Sequence, residues 1–353
     1  MIQNLLNAIQ SAGAQALLLT SETNRRYATG FHSSAGAVYL SQNHAIFFTD
    51  FRYIEAAKNT VQHFEVRLQQ SGTSYMSLIN DLIHEDQVKT IALEDDALTY
   101  RAYCEWQEKL DADIVPLGDA ISHLRAVKRP DELEHIITAQ RIAERAFLDV
   151  LDDIRPGITE KQLAARLTYL MLVYGAENMS FDPVVVSGAN SSKPHGVPCE
   201  KEIAEGDFIT MDFGCIVNGY CSDMTRTVAV GYATDEMAAV YHTVLQAQKA
   251  GIAALRPGVT GLEADKAARD IIEAAGYGEY FGHSFGHSVG LEIHEQPTVS
   301  PRWDKPLPEG AVVTAEPGIY LPGKFGVRIE DMVFLTEDSH RNLTESPKEL
   351  LIL

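Results

Sequence analysis

Residues 211–227 read MDFGCIVNGYCSDMTRT. Asn218-Gly219 at their centre is the strongest short signal for a two-residue β-hairpin, because a type I′ turn needs positive φ at both positions. The residues leading into it, DFITMDF (207–213), carry the side-to-side alternation of a strand. With the turn on 218–219, Asp212 faces Thr225 and Gly214 faces Asp223. Both aspartates then fall on one sheet face as diagonal neighbours, while Met211, Phe213 and Met224 fall on the other, ready to pack under helices. Cys215 and Cys221 land on opposite faces and cannot readily join each other. Two carboxylates held side by side repel unless a proton or a cation sits between them. The plainer alternative makes Asp212 a solvated strand residue and Asp223 a residue flanking the turn.

Two later segments bear on that choice. In FGHSFGHSVGLEIHE (281–295), His283 and His287 stand four apart, a spacing that on a helix would suggest a zinc pair. Gly282, Gly286 and Gly290 argue against a helix, and GLEIHE reads as a strand. Histidines in a glycine-punctuated stretch suggest backbone and imidazole approaching a ligand closely, with polar surface histidines as the alternative. In VVTAEPGIYLPGKFGVRIEDMVFLT (312–336), Glu316 and Glu330 interrupt apolar strands, where a charge is rarely buried without a partner or a metal. Arg328 shares the strand parity of Glu330 and could pair with it or with another ligand. Four carboxylates and at least one imidazole form an oxygen-rich set with one nitrogen. That set suits Mn²⁺, Co²⁺, Fe²⁺ or Zn²⁺ better than Cu(I) or an iron–sulfur cluster. Four carboxylates can also bridge two ions roughly 3.5–4 Å apart.

The surrounding chain is organised in two parts. Residues 1–125 alternate helical patterns with the strand candidates QALLL (15–19), AVYL (37–40), AIFF (45–48) and TIAL (90–93), which suggest a small α/β domain. RAVKRPDELEHI (125–136) marks the boundary, with acidic residues after Pro130 opening a long helix whose buried face recurs through Leu133, Ile136, Ala143, Phe147 and Val150. In the second part IRPGIT (154–159) returns as LRPGVT (255–260), each between two amphipathic helices and each followed by a histidine-bearing segment, KPHG with His195 in the first case. This suggests a duplicated unit with a pseudo-twofold.

Bulk properties narrow the function. A net charge of −20, from 49 acidic and 29 basic residues, disfavours nucleic acid and anionic lipid as partners. No segment approaches the roughly 18 unbroken apolar residues of a membrane span. The opening MIQNLLNAIQSAGAQALLL reads as an amphipathic helix and not as a signal peptide. Four cysteines without a CxxC pair then read as reduced thiols in a cytoplasmic protein.

MDFG…GYCSDMTRT, GHSVGLEIHE, AEPGIY and GVRIED, in this order, resemble the pita-bread metallopeptidases: methionine aminopeptidase, aminopeptidase P, prolidase and the metal-free creatinase. TNRRYATGF and FTDFRY are weaker marks of the creatinase/prolidase N-terminal domain. The resemblance implies an α/β (α+β) architecture, with a creatinase-like domain over 1–125 and a pita-bread catalytic domain over 126–353. It implies two divalent metal ions, manganese first and cobalt, zinc or iron as alternatives. Their ligands would be Asp212, Asp223, His287, Glu316 and Glu330, with Asp212 and Glu330 bridging. The family's catalytic histidines fall on His195, His283 and His294.

All five ligand positions are filled, which weighs against creatinase and against a non-catalytic binding module. The arginine of GVRIED and the N-terminal domain favour the proline-peptidase branch. The implied reaction is hydrolysis of the bond between an N-terminal residue and proline by a hydroxide bridging the two metals. Glu316 would shuttle the proton, His283 and His294 would steady the oxyanion, His195 would contact the proline side, and Arg328 would orient a carboxylate ligand. The implied partners are small peptides with proline second, and a second copy of the chain in a homodimer. Aminopeptidase P is the first expectation; prolidase, then a methionine-type or broader aminopeptidase, are the alternatives.

Overall fold

The hairpin forms in the register that the Asn-Gly turn sets. Asn218 and Gly219 take φ of 47° and 82°. Val217 pairs with Tyr220, Ile216 with Cys221, Phe213 with Met224 and Asp212 with Thr225. The ladder is broken once, beside Gly214. Strands Phe208–Phe213 and Met224–Ala229 join Val184–Ser187 in one antiparallel sheet, whereas Cys215–Val217 and Tyr220–Cys221 join Asn178–Met179 in another. A Cβ on Gly214 would lie 1.8 Å from the Ser222 carbonyl oxygen, so only glycine lets the two chains pass. Gly214→Ala is therefore expected to destabilise the protein by roughly 3 kcal/mol, read from the denaturant midpoint.

This computed structural model describes residues 1–353, which divide into two compact units, Met1–Arg125 and Ala126–Leu353. In the first, the four apolar runs singled out above form strands Ala16–Leu19, Ala37–Ser41, Ala45–Thr49 and Thr90–Leu93. With Glu65–Leu68 and Asp113–Pro116 they make one mixed six-stranded sheet. Its apolar residues pack against helices that include Tyr75–Glu85, which supplies the buried Ile79, Leu82 and Ile83.

In the second unit each RPGxT turn ends on a threonine that caps the next helix. Thr159 and Gln162 form a capping box at Glu160–Val173, and Thr260 and Glu263 form one at Gly261–Ala274. Helices Pro130–Val150 and Glu160–Val173 cover Met211, Phe213 and Met224, the face opposite the aspartates. Helices Asp235–Ala254 and Gly261–Ala274 cover a second core containing Phe285, Val313 and Ile319. No helix of the chain is long and apolar enough to cross a membrane.

Two strand expectations need correction. GLEIHE is not a strand: the ladder between Gly286–Ser288 and Glu295–Val299 slips after His287, and residues 289–294 bend between them. The Glu295 carboxylate folds beneath Gly290, where a Cβ would lie 2.4 Å from it, and accepts from the Glu292 N–H at 3.2 Å. Glu316 and Glu330 do not lie within strands either. Each occupies a junction, after Val312–Ala315 and between Phe325–Arg328 and Asp331–Leu335, where the chain leaves the ladder and frees the side chain to turn inward.

Candidate active site

Strand ends and bends of the second unit converge on a cavity of about 450 Å³. Asp212, Asp223, His287, Glu316, Glu330, His195, His283, His294 and Arg328 all line it. The hairpin brings Asp212 from the strand Phe208–Phe213 and Asp223 from the break just before Met224–Ala229, and the two strand junctions bring the glutamates. The sheet containing Gly286–Ser288 brings His287.

Asp223, His287 and Glu330 offer ligating atoms within 4.8 Å of one another. His287 Nε2 is 3.5 Å from Asp223 Oδ2 and 3.4 Å from Glu316 Oε1. Asp223 and Glu330 are 4% and 1% exposed. Burial first, and the neighbouring carboxylates second, push both carboxyls well above their ordinary range. Glu316 is pushed up to about 8, chiefly by burial, with Asp212 adding to the rise and Arg328 opposing it. Burial likewise lowers His287 to about 4, so its imidazole is neutral and able to ligate. Asp212 Oδ1 is buried without any hydrogen-bond partner. Asp212, Asp223, Glu316 and Glu330 thus crowd together in the cavity beside a single guanidinium. This donor set fits divalent cations, which would relieve the repulsion and satisfy the orphaned oxygen.

Arg328 does not pair with Glu330, one of the two partners its parity allowed. Its Nη2 reaches Asp212 Oδ2 at 2.5 Å and its Nη1 donates to the Tyr320 hydroxyl at 2.7 Å. Glu330 instead accepts from Thr225 Oγ1 at 2.7 Å. The bend at the junction explains the change, since parity holds only along a continuous strand. Tyr320 and Thr225 were not foreseen as site residues. Tyr320 stands in the AEPGIY motif, but nothing in its spacing says that its hydroxyl meets Arg328 and His283.

The Tyr320 hydroxyl lies 2.9 Å from His283 Nε2, and His283 Nδ1 lies 2.9 Å from the Ser284 carbonyl oxygen. Burial, and then the Arg328 charge, lower His283 to about 4. A neutral ring protonated on Nδ1 satisfies both contacts, with Tyr320 donating to Nε2. His294 packs edge-on against His287, ring centroids 4.4 Å apart, and is exposed at the mouth, as is His195. Asp182, also unforeseen, is exposed on the same wall.

The cysteines play no part in the cavity lining. Cys215 Sγ points to the Ala139 carbonyl under the helices and Cys221 Sγ points towards the Leu291 carbonyl, and both are free thiols. Burial pushes both up to about 12. Cys221→Ala is expected to keep wild-type turnover while lowering stability by about 1 kcal/mol, checked by kinetics and thermal melting side by side.

Residues 134–337 match the model of metallopeptidase family M24, and residues 1–127 match that of the creatinase/prolidase N-terminal domain. The chain belongs to metallopeptidase family M24. It is 36% identical over 352 residues to the Xaa-Pro dipeptidase of Pyrococcus furiosus, covering 99% of both chains. Among solved structures it resembles an Xaa-Pro dipeptidase from Bacillus anthracis, with a TM-score of 0.96 and 43% identity over 100% of this chain and 99% of that one. It also resembles an X-Pro aminopeptidase from Thermotoga maritima, with a TM-score of 0.93 and 39% identity over 98% and 100%. The M24 protein is thus a metallopeptidase, and its architecture is a creatinase-type N-terminal domain joined to a pita-bread domain.

Proposed function

We propose that this M24 peptidase is an Xaa-Pro aminopeptidase, releasing an N-terminal residue from a following proline, with 1–125 as its N-terminal domain and 126–353 as its catalytic domain. The observation that carries the proposal is the cavity in which Asp223, Glu330 and His287 converge within 4.8 Å. These three would hold one divalent ion, with Asp212 and Glu316 completing the ligands for a second. Manganese is the first choice, and cobalt, zinc or iron suit the same donors. When bound, such a pair polarises the scissile carbonyl and lowers the pKa of water towards neutrality.

The remaining work belongs to the chain. Glu316, beside His287 in the cavity, takes a proton from the attacking water and delivers it to the departing proline nitrogen. His294, at the mouth, donates a ring N–H to the developing oxyanion. His283 has both ring nitrogens engaged, so it acts with Tyr320 as a fixed polar wall for the substrate carbonyl. His195 meets the proline side. Arg328 holds Asp212 in orientation. Proline lacks the N–H that ordinary peptidases bind, so a dedicated cavity is chemically reasonable.

The names of the relatives divide between dipeptidase and aminopeptidase. A dipeptide ends in a carboxylate directly after proline and needs a cation there. The one Lys or Arg in the lining is Arg328, already committed to Asp212 and Tyr320, and the exposed Asp182 would repel that carboxylate. This favours longer peptides. The same reading carries a homodimer in the cytoplasm, in keeping with four free thiols. The test is hydrolysis of Ala-Pro-Ala, Ala-Pro, Met-Ala-Ala and creatine by manganese-loaded enzyme. Ala-Pro-Ala is expected to be cleaved fastest. Cleavage of Ala-Pro alone would assign a dipeptidase, cleavage of Met-Ala-Ala alone would remove the proline specificity, and creatine turnover would remove the peptidase class.

A further inference from the structure

Residues 281–285, which carry His283, lie outside any regular strand or long helix, and Gly282 lies among them. Their backbone groups need partners from elsewhere. One ion pair supplies three. The Asp265 side chain, 1% exposed on helix Gly261–Ala274, accepts from the Phe285 N–H at 2.9 Å. One turn further along the same helix, Arg269 grips Asp265 through two bonds of 2.7 and 2.9 Å. The same guanidinium donates to the carbonyls of Phe281 and His283, both at 2.9 Å, and lies 4.2 Å from the Phe281 ring centre. Phe285 is seated where Gly251 leaves room, since a Cβ there would lie 2.2 Å from its ring.

The other half of the unit uses the same kind of device. Glu160, fully buried at the start of its helix, accepts from Ser187 N–H at 2.7 Å and Cys199 N–H at 3.2 Å, pinning both ends of the segment that carries His195.

We infer that Asp265 and Arg269 are positioning residues for the reaction, acting through His283. They touch no substrate. Their fork fixes the carbonyl of His283 itself and the amide two residues on, and so sets where the imidazole meets Tyr320 and the cavity. Arginine is required because one planar guanidinium must serve a carboxylate and two carbonyls together, which a lysine ammonium lacks the geometry to do.

The inference rests on the peptidase reading, and a double-mutant cycle tests it. Arg269→Met, His283→Ala and the double variant are compared with wild type as manganese-loaded full-length enzymes on whichever proline peptide wild type cleaves. A displacement of about 1 Å is expected to lower kcat by up to roughly 100-fold, with KM little changed. Manganese content is expected to match wild type, and the double variant is expected to be no slower than His283→Ala. Wild-type kcat in Arg269→Met would overturn the inference. So would multiplication of the two single effects, or manganese loss that tracks the lost activity. If Arg269→Met does not fold, Arg269→Lys is read by the same criteria, since it keeps the charge and loses the fork. Failure of the peptidase reading would appear separately, as wild-type enzyme that cleaves no proline peptide.

Discussion

Asp223→Asn is expected to lower peptidase activity by at least about 100-fold and, at neutral pH, to make the metal-free protein more stable than wild type. The two effects have one cause. Asp223 is 4% exposed, and its carboxyl is raised well above the ordinary range by burial and by Glu330, Asp212 and Glu316. Without a cation, it either stays protonated where the unfolded chain would ionise it, or ionises against its neighbours. Asparagine keeps the shape and removes the charge, so the metal-free fold gains. The same change removes a ligand. Losing a partner one step outside a metal's ligands already costs roughly 10–100-fold, so losing a ligand is expected to cost at least about 100-fold in kcat/KM. Steady-state kinetics and metal analysis check the loss, and thermal melting in chelator checks the gain. A metal-free variant that melts below wild type would contradict the electrostatic description of the site.

The second large effect is the response of the metal-free protein to pH. Glu316 rises from 4.5 to about 8, and Asp223 and Glu330 are also raised. For such acids the folded state keeps protons that the unfolded chain releases. Stability therefore falls as pH rises from about 4.5 towards 8, by up to about 1.4 kcal/mol per pH unit for each proton retained. Metal binding requires the deprotonated ligands and strengthens with pH, so the loaded protein is expected to lack this fall or to reverse it. Melting curves between pH 5 and 8, with chelator and with manganese, read the two slopes directly. Glu316→Gln should flatten the chelator curve. A metal-free protein whose melting temperature does not fall across that range would contradict the burial of these acids in ionisable form.

The hairpin register was legible because one Asn-Gly turn fixes which residues face each other, and Asp212 and Asp223 then share a face. Four of the six strands of the first unit were legible as short apolar runs between turn signals. What escaped lies where the chain leaves a ladder. Parity left Arg328 to pair with Glu330 or with another ligand, and only the bend at the junction decides for Asp212. GLEIHE has strand composition, yet the Glu295 carboxylate under Gly290 and the slip after His287 turn it into a bend. Tyr320 and Asp265 escaped for a related reason. Their roles depend on contacts with His283 and Phe285 that cross 37 and 20 residues, and no local period encodes such contacts.

The central claim is that the buried acids of this cavity serve a bound divalent metal that the peptidase reaction requires. The most direct measurement is the rate of Ala-Pro-Ala hydrolysis by one enzyme preparation, first stripped by chelation and then titrated with manganese. The expected result is no turnover when stripped, with activity returning in proportion to bound manganese. Full turnover by exhaustively metal-free enzyme would contradict it.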